Sequence, residues 1–372
     1  MFLKNNVHNI FLMLGFNCNF NCRYCLQAPN VEKTGLPTQI NEDIYEFVKN
    51  IAKNQFPQKL NIQFYGGEPF CYFDKIQEIH NNLKNEKNIT FSFISNGSLI
   101  TEDMVNWLND NKIFGAISWD GTSTKQTRRV DVFSSKQKNT LFKLDHLGIS
   151  AVLSSYTSLK QLINDFQALS NEYYEKHQYH LNFNIDEIFD TGLADRTLLD
   201  CDYEKIKNES RELIKEYLKI KTNKSEITEE CYQKTKYALF AYYDRFYWAI
   251  KRYLDNPDYT IMPWCGNGFE VLNLDLEGNL YSCHNCTDKL GTIYSRMSNY
   301  VENFIRTSSL ESRINNKCKK CSVYPVCRGG CKLVKDRALD ESYCKLKAAN
   351  FGPILEEFIR LGRRNTQCQM DK

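Results

Sequence analysis

Eleven of the fifteen cysteines in this 372-residue chain fall into two spaced sets, and their spacing limits the fold more than any other feature. The first set is Cys18, Cys22 and Cys25, written CxxxCxxC in the run CNFNCRYC. The second begins at Cys265 and Cys283, with Cys286 close behind, and continues through Cys318, Cys321, Cys327, Cys331 and Cys344. In a small secreted protein such a count would mean disulfides. Here the chain is long and the cysteine number odd. The opening MFLKNNVHNIFLMLGF is followed by no small-residue cleavage site and reads as a first strand, not a signal peptide. Ligation of metal or clusters in a reducing, cytoplasmic compartment is therefore expected.

Composition narrows the partners. A hydrophobic share of 42% with 25% charged residues is that of a globular protein. The net charge of +3 gives no reason to expect nucleic acid. No apolar run reaches the ~20 residues of a membrane span, so no membrane partner is expected.

The first half alternates strand-like and helix-like segments. Strands are predicted at Ile10–Leu14, Leu60–Tyr65, Thr90–Ile94, Ile113–Trp119, Ile149–Ser154 and Leu181–Ile185. Helices are predicted at Asn41–Lys53, Phe73–Asn85, Thr101–Asn111 and Ser158–Glu175, with Asn41 and Thr101 as N-caps. Six repeats of this alternation predict an α/β fold with a parallel sheet and right-handed crossovers, open or curled into a barrel. Four blocks follow: 1–200 strand–helix alternation, 201–260 helical, 261–348 cysteine-rich, and 349–372 a basic closing helix and tail.

Three thiolates on one tight loop can hold three irons of a cubane and leave the fourth open. Zinc would want a fourth Cys or His at ligand spacing, and His8 lies before the loop. The loop is similar to the signature of the radical S-adenosylmethionine (SAM) superfamily. Three later motifs sit where that family places them, at the C-terminal ends of successive strands: Tyr65-Gly66-Gly67-Glu68-Pro69, Ser95-Asn96-Gly97 and Ser118-Trp119-Asp120-Gly121. The resemblance implies a partial (β/α)6 TIM-like barrel. It implies SAM as cofactor, cleaved by one electron to a 5′-deoxyadenosyl radical at a 4Fe-4S cluster on Cys18, Cys22 and Cys25. Tyr24 is expected to pack against cluster or adenine. Gly66, Gly67 and Glu68 are expected at the SAM amino group, with Glu68 holding it and the glycines allowing close backbone approach. Ser95 and Asn96 are expected near the ribose, with Ser118 and Asp120 in the third motif. An arginine, Arg128 or Arg129, is expected at the SAM carboxylate.

The second cysteine set resembles the seven-cysteine SPASM domain, with Gly278-Asn279-Leu280-Tyr281-Ser282 leading into Cys283 and CxxCxxxxxCxxxC from Cys318 to Cys331. That resemblance implies two auxiliary 4Fe-4S clusters: an outer one on Cys318, Cys321, Cys327 and Cys344, and an inner one on Cys265, Cys283 and Cys331. The inner cluster's fourth ligand is either Cys286 or an open position. Two zinc sites are the alternative for this segment, because CKKC with CRGGC also has ribbon spacing. Cys71, Cys201, Cys231 and Cys368 fit neither pattern and are expected as plain thiols.

Radical SAM proteins with this domain mostly modify peptides or proteins. The resemblance implies a peptide or protein substrate, a ribosomally made precursor, with a low-potential electron donor such as flavodoxin or ferredoxin. The loop at Cys18 leaves no room before it for a winged-helix leader-binding domain. Leader recognition is then expected from the barrel, from the Tyr-rich helices at 202–255 beside a peptide groove, or from a separate leader-binding protein. A sulfatase-maturing activity is the second reading. Such enzymes carry an acid just after the GxxxxC cysteine, where this chain has His284. Asp186 and Glu187 at the sixth strand's end, and His284, are the nominated proton-transfer residues. A non-catalytic iron–sulfur electron carrier is the reading from another class.

Overall fold

The computed structural model describes residues 7–27, 39–190, 195–222, 228–255, 268, 270–285, 288–307, 318–331, 334 and 342–370. Two nominated ligands, Cys265 and Cys286, lie outside the described residues. Contacts divide the chain into two compact units. Unit 1 comprises residues 1–119, 128–149 and 262–313; unit 2 comprises 120–127, 150–261 and 314–372.

Unit 1 is built on β1 (Asn9–Met13), β2 (Leu60–Tyr65), β3 (Ile89–Ser95) and β4 (Phe114–Ser118), interleaved with α1 (Asp43–Gln55), α2 (Phe73–Leu83) and α3 (Glu102–Asp110). β5 (Leu147–Leu153) runs across the division. The strands β4, β3, β2 and β1 are parallel neighbours. Strand β2 shows the two faces of this sheet. Leu60, Ile62 and Phe64 are buried on one face, and Asn61, Gln63 and Tyr65 alternate onto the other. The second face is polar. Asn61 donates to Asn9 (2.6 Å) and Ser92 (2.8 Å), and Asn9 donates to Gln63 (3.1 Å). Thr101 caps α3, its Oγ1 accepting from Met104 N. At α1 the helix begins two residues after Asn41, whose Oδ1 still accepts from Asp43 N (3.1 Å).

The cysteine-rich block contributes β7 (Val271–Asp275), β8 (Asn279–Tyr281) and β9 (Lys289–Thr292) to this unit. Strand β7 lies parallel to β1 with Leu12 opposite Leu274, and β8 and β9 follow antiparallel. The β7–β8 turn needs Gly278, whose φ is +87°. Asp275 fastens the turn by accepting from Asn279 N (2.9 Å) and the Tyr281 hydroxyl (2.7 Å).

Unit 2 sets β6 (Asn182–Glu187) beside β5 and packs long helices: α4 (Leu159–His177), α5 (Tyr203–Thr222), α6 (Tyr237–Asp255) and α7 (Cys344–Met370). Tyr217, Tyr242, Tyr243 and Phe246 are buried here. The tyrosines of 202–255 expected beside a peptide groove include these three core side chains. Among the described residues no helix is long and apolar enough to cross a membrane.

Candidate radical site and cysteine centres

The loop after β1 and the loop after β2 are joined through their backbones. Gly67 N donates to Gly15 O (2.9 Å) and Glu68 N to Asn17 O (2.8 Å). A Cβ on Gly66 would stand 2.2 Å from Gly15 O, and one on Gly67 2.4 Å from both Phe16 O and Asn17 O. The glycines therefore let two stretches of main chain touch.

Glu68 is buried, and its carboxylate joins the first two motifs. Oε1 accepts from the Ser95 hydroxyl (2.7 Å) and Phe70 N (3.1 Å); Oε2 accepts from Asn96 N (2.7 Å). Burial pushes this carboxyl above the ordinary range, and the donors only partly offset it. Asn96 carries the network to the cysteine loop: its Nδ2 donates to Asn19 Oδ1 (2.8 Å) and lies 4.0 Å from Cys18 Sγ. Asn19 in turn donates to Ser98 (2.8 Å).

Both nominated arginines lean on the same loop. The Arg128 guanidinium lies 5.1 Å from the Tyr24 ring centroid, and Arg129 Nε donates to Asn21 O (2.8 Å). Ser118 ends β4. Asp120 is buried, and its two oxygens accept from Thr127 Oγ1 (2.6 Å) and Val152 N (2.8 Å). Its carboxylate is engaged by protein donors at both oxygens.

The hairpin β7–β8 delivers Cys283 to the same unit. Asn285 N lies 3.4 Å from Cys283 Sγ, and Asn285 Oδ1 accepts from Gln27 (2.9 Å) and the Tyr65 hydroxyl (3.1 Å). Burial and the neighbouring Cys283 and Cys25 raise the Tyr65 phenol. Tyr65 thus stands near both a nominated cluster ligand of the first loop and one of the hairpin. The His284 ring stacks on Phe11 (centroids 3.9 Å) and meets Tyr65 edge-on (4.5 Å). Burial pushes its imidazole down to about 3. Gln27, Tyr65 and Asn285 were missed in the sequence. Only their adjacency to Cys25, Gly66 and Cys283 could have flagged them.

In unit 2, Glu187 is buried in an ion pair with Lys347 and also accepts from Asn350 Nδ2 (2.7 Å). Burial would push it up, but Lys347, Arg245 and Asn350 bring its carboxyl below the ordinary range. Asp186 keeps an exposed residue surface and accepts from Asn184 (2.9 Å). Surrounding protein and Glu187 hold it above the ordinary range against the pull of Arg245.

None of the twelve cysteines whose side chains are described is disulfide-bonded. The Cys327 thiol is pushed up to about 12 by burial, and the charges acting on it are those of Lys347, Cys344, Cys321 and Cys318. The four thiols nominated for an outer cluster are thus electrostatic neighbours. Among the described residues no three His, Cys, Asp or Glu close on a single ion. Zinc would hold its thiolates only ~3.8 Å apart, from its 2.3 Å bonds and tetrahedral angle. A cubane spreads its thiolates around four irons, and a donor set made of cysteines alone is of the kind that holds one.

Residues 12–141 match the sequence profile of the radical SAM superfamily. A radical SAM cyclopropyl synthase, TigE of Paramaledivibacter caminithermalis, is 26% identical over 201 residues, 48% of this chain but only 40% of that protein. A cysteine-type anaerobic sulfatase-maturating enzyme of Clostridium novyi is 25% identical over 364 residues, 86% of each chain. In structure, anSMEcpe with bound AdoMet and Kp18Cys peptide superposes with TM-score 0.66 at 16% identity, covering 96% of this chain and 99% of that one. Streptococcus suis SuiB bound to precursor peptide SuiA gives 0.58 at 17% identity, covering 89% and 73%. These structural likenesses bear on the fold, a mixed α/β radical SAM architecture.

Proposed function

We propose, from the premise that residues 12–141 carry the radical SAM match, that this radical SAM protein oxidatively modifies a peptide or protein substrate, a ribosomally made precursor. Hydrogen leaves a side-chain or α carbon, and a crosslink, thioether or similar bond remains. The observation that carries the reading is the pairing of β1 with β2 on one side and β7 on the other. It builds a cysteine of the C-terminal set, Cys283, into the unit that holds the radical loop, with Tyr65 near both. An electron acceptor beside the radical site favours net oxidation. SuiB bound to a precursor peptide and anSMEcpe bound to a peptide support the substrate class.

SAM bound at a 4Fe-4S cluster supplies, on one-electron reduction, a 5′-deoxyadenosyl radical. This chain's residues do the rest. Cys18, Cys22 and Cys25 hold the cluster. Glu68 offers a carboxylate to the SAM ammonium while fixing Ser95 and Asn96. Arg128 braces Tyr24, and Arg129 braces the loop at Asn21. The two auxiliary clusters use Cys265, Cys283 and Cys331, with Cys286 or an open iron, and Cys318, Cys321, Cys327 and Cys344. Of the nominated proton-transfer groups, Asp186 is the carboxylate left reachable. Glu187 is taken by Lys347, and the His284 ring is packed between Phe11 and Tyr65. A low-potential donor such as flavodoxin or ferredoxin supplies the electron, and a leader is bound by the barrel, by the 202–255 helices or by a separate protein.

Formylglycine formation is the second reading, favoured by the likeness to the Clostridium novyi enzyme along 86% of each chain. The test combines precursor peptides encoded beside the gene, SAM and a low-potential reductant, followed by mass spectrometry. Loss of two hydrogens with stoichiometric 5′-deoxyadenosine supports the first reading. An aldehyde from Cys or Ser promotes the second. Turnover of only a free small molecule or RNA removes both, and no SAM cleavage at all leaves an electron carrier.

A further inference from the structure

Glu187, nominated for proton transfer, is buried in an ion pair. Its carboxylate is buried against Lys347, the two side chains being 4% and 15% exposed. Asn350 Nδ2 donates to the free oxygen (2.7 Å) and also contacts the Tyr242 hydroxyl (2.9 Å). The far side of Lys347 faces the cysteine segment. Its Nζ lies 5.4 Å from the Tyr343 ring centroid and 4.7 Å from that of Phe351. Tyr343 is buried with Val334, packs against Cys327 and Cys331, and accepts a hydrogen bond from Cys331 N at its hydroxyl (3.2 Å). On α7 Lys347 follows Cys344 by three residues, a spacing that puts the two on one side of the helix.

A buried ion pair is weak evidence for stability. An apolar pair of similar volume is often as stable or more so, because two desolvated charges recover little more than they lose. What an apolar pair cannot supply is a fixed positive charge near the half-buried Cys327. In dry protein such a charge acts strongly over several ångströms. Burial and nearby charge are among the protein's levers on the potential of an iron–sulfur cluster.

We propose that Lys347, held in place by Glu187 and Asn350, is a positioning residue that raises the reduction potential of the outer auxiliary cluster. The inference rests on the assignment of Cys318, Cys321, Cys327 and Cys344 to that cluster. The cluster takes up one electron and becomes more negative by one charge, and no bond forms or breaks. A neighbouring cation stabilises the reduced state more than the oxidised one. The Glu187 carboxylate partly cancels it, so the two side chains act with opposite signs. In an enzyme whose reaction is oxidative, the higher potential makes this cluster the favoured resting place for the electron withdrawn from substrate.

The test is an EPR-monitored redox titration of the full chain after anaerobic reconstitution. The C18A/C22A/C25A background removes the radical cluster's signal, and the inner cluster serves as internal reference. An iron content near eight per chain, as expected for two cubanes, confirms that the clusters are there to be titrated. A content near zero sinks the cluster assignment instead and is told apart at that step. Lys347→Met should lower the outer cluster's reduction equilibrium about tenfold, ~59 mV for one electron. Glu187→Gln should shift it the other way, and Lys347→Arg should stay close to the parent. The inner cluster should move least. Shifts of the same sign in Lys347→Met and Glu187→Gln, no shift in either, or loss of the outer cluster in both overturns the proposal and leaves the pair a structural tie.

Discussion

Glu68 in unit 1 and Glu187 in unit 2 are both buried carboxylates at or just beyond the C-terminal ends of strands, β2 and β6, and they are held in different ways. Glu68 receives three neutral donors from Ser95, Asn96 and Phe70, and among the described residues no cation pairs with it. Burial accordingly leaves its carboxyl above the ordinary range. Glu187 has its countercharge built in, and Lys347 pulls its carboxyl below that range despite burial. A buried carboxylate with donors but no cation is prepared for a cation that arrives with a ligand. One already paired is closed to such a ligand and exerts its effect through its partner. Sequence position alone made both look like rim carboxylates; their neighbours tell them apart.

The largest effect tests the site to which Glu68 belongs. Replacing Cys18, Cys22 and Cys25 together by Ala should abolish 5′-deoxyadenosine formation and lower bound iron from about twelve to about eight per chain. Persistent SAM cleavage in that variant would move the radical site elsewhere.

Stability comes next, and it isolates the Glu187 side of the contrast. Glu187→Gln strands a buried lysine and should cost about 3 kcal/mol near neutral pH, measured by denaturant unfolding. Because the folded carboxyl lies below its unfolded value of about 4.3, its contribution is present above that pH. It is lost as pH falls through the depressed folded value. The groups acting on it are Lys347, Arg245, Asn350 and, less directly, Asp186. Unfolding curves of parent and variant should therefore converge in acid; a constant gap down to pH 2 would show that the ion pair is not its origin.

A smaller effect belongs to Glu68→Gln. It keeps the shape and removes the charge, so SAM affinity should fall about tenfold, ~1.4 kcal/mol, with iron content unchanged. Glu187→Gln should leave SAM affinity where it was. Equal weakening by both substitutions, read by equilibrium binding, would erase the distinction between the two carboxylates. Smallest of all, Thr101→Ala removes the α3 cap and should cost about 1 kcal/mol with SAM binding intact.

Much of unit 1 was legible because period-two burial is local. The predicted Leu60–Tyr65 is β2 itself, and β1 and β3 differ from prediction by only a residue or two. The motif order was legible as well, since each motif directly follows its strand. The partners were not. Gly66 and Gly67 announce a close approach in the sequence, yet whether main chain or ligand approaches depends on how β1 registers against β2. Glu187 and Lys347 lie 160 residues apart, and nothing local in either segment reveals the other. Tyr65 and Asn285 were overlooked for a related reason. Their shared hydrogen bond exists only because β7 pairs with β1, a connection that strand propensity leaves undetermined.

The backbone clasp between Gly15–Asn17 and Gly67–Glu68 bears on how such a protein can change over generations. Main-chain atoms are present whatever the residue, so the spacing between the first cysteine and Glu68 is insured against most substitutions at Phe16 and Asn17. The insurance does not extend to length. One residue gained or lost between Asn17 and Cys18 would slide every cysteine of the loop past a clasp that stays put. One methyl added at Gly66 would pry the clasp open. Descendants of this chain are therefore free to redecorate the loop before Cys18, while its residue count and two glycines are inherited as a unit.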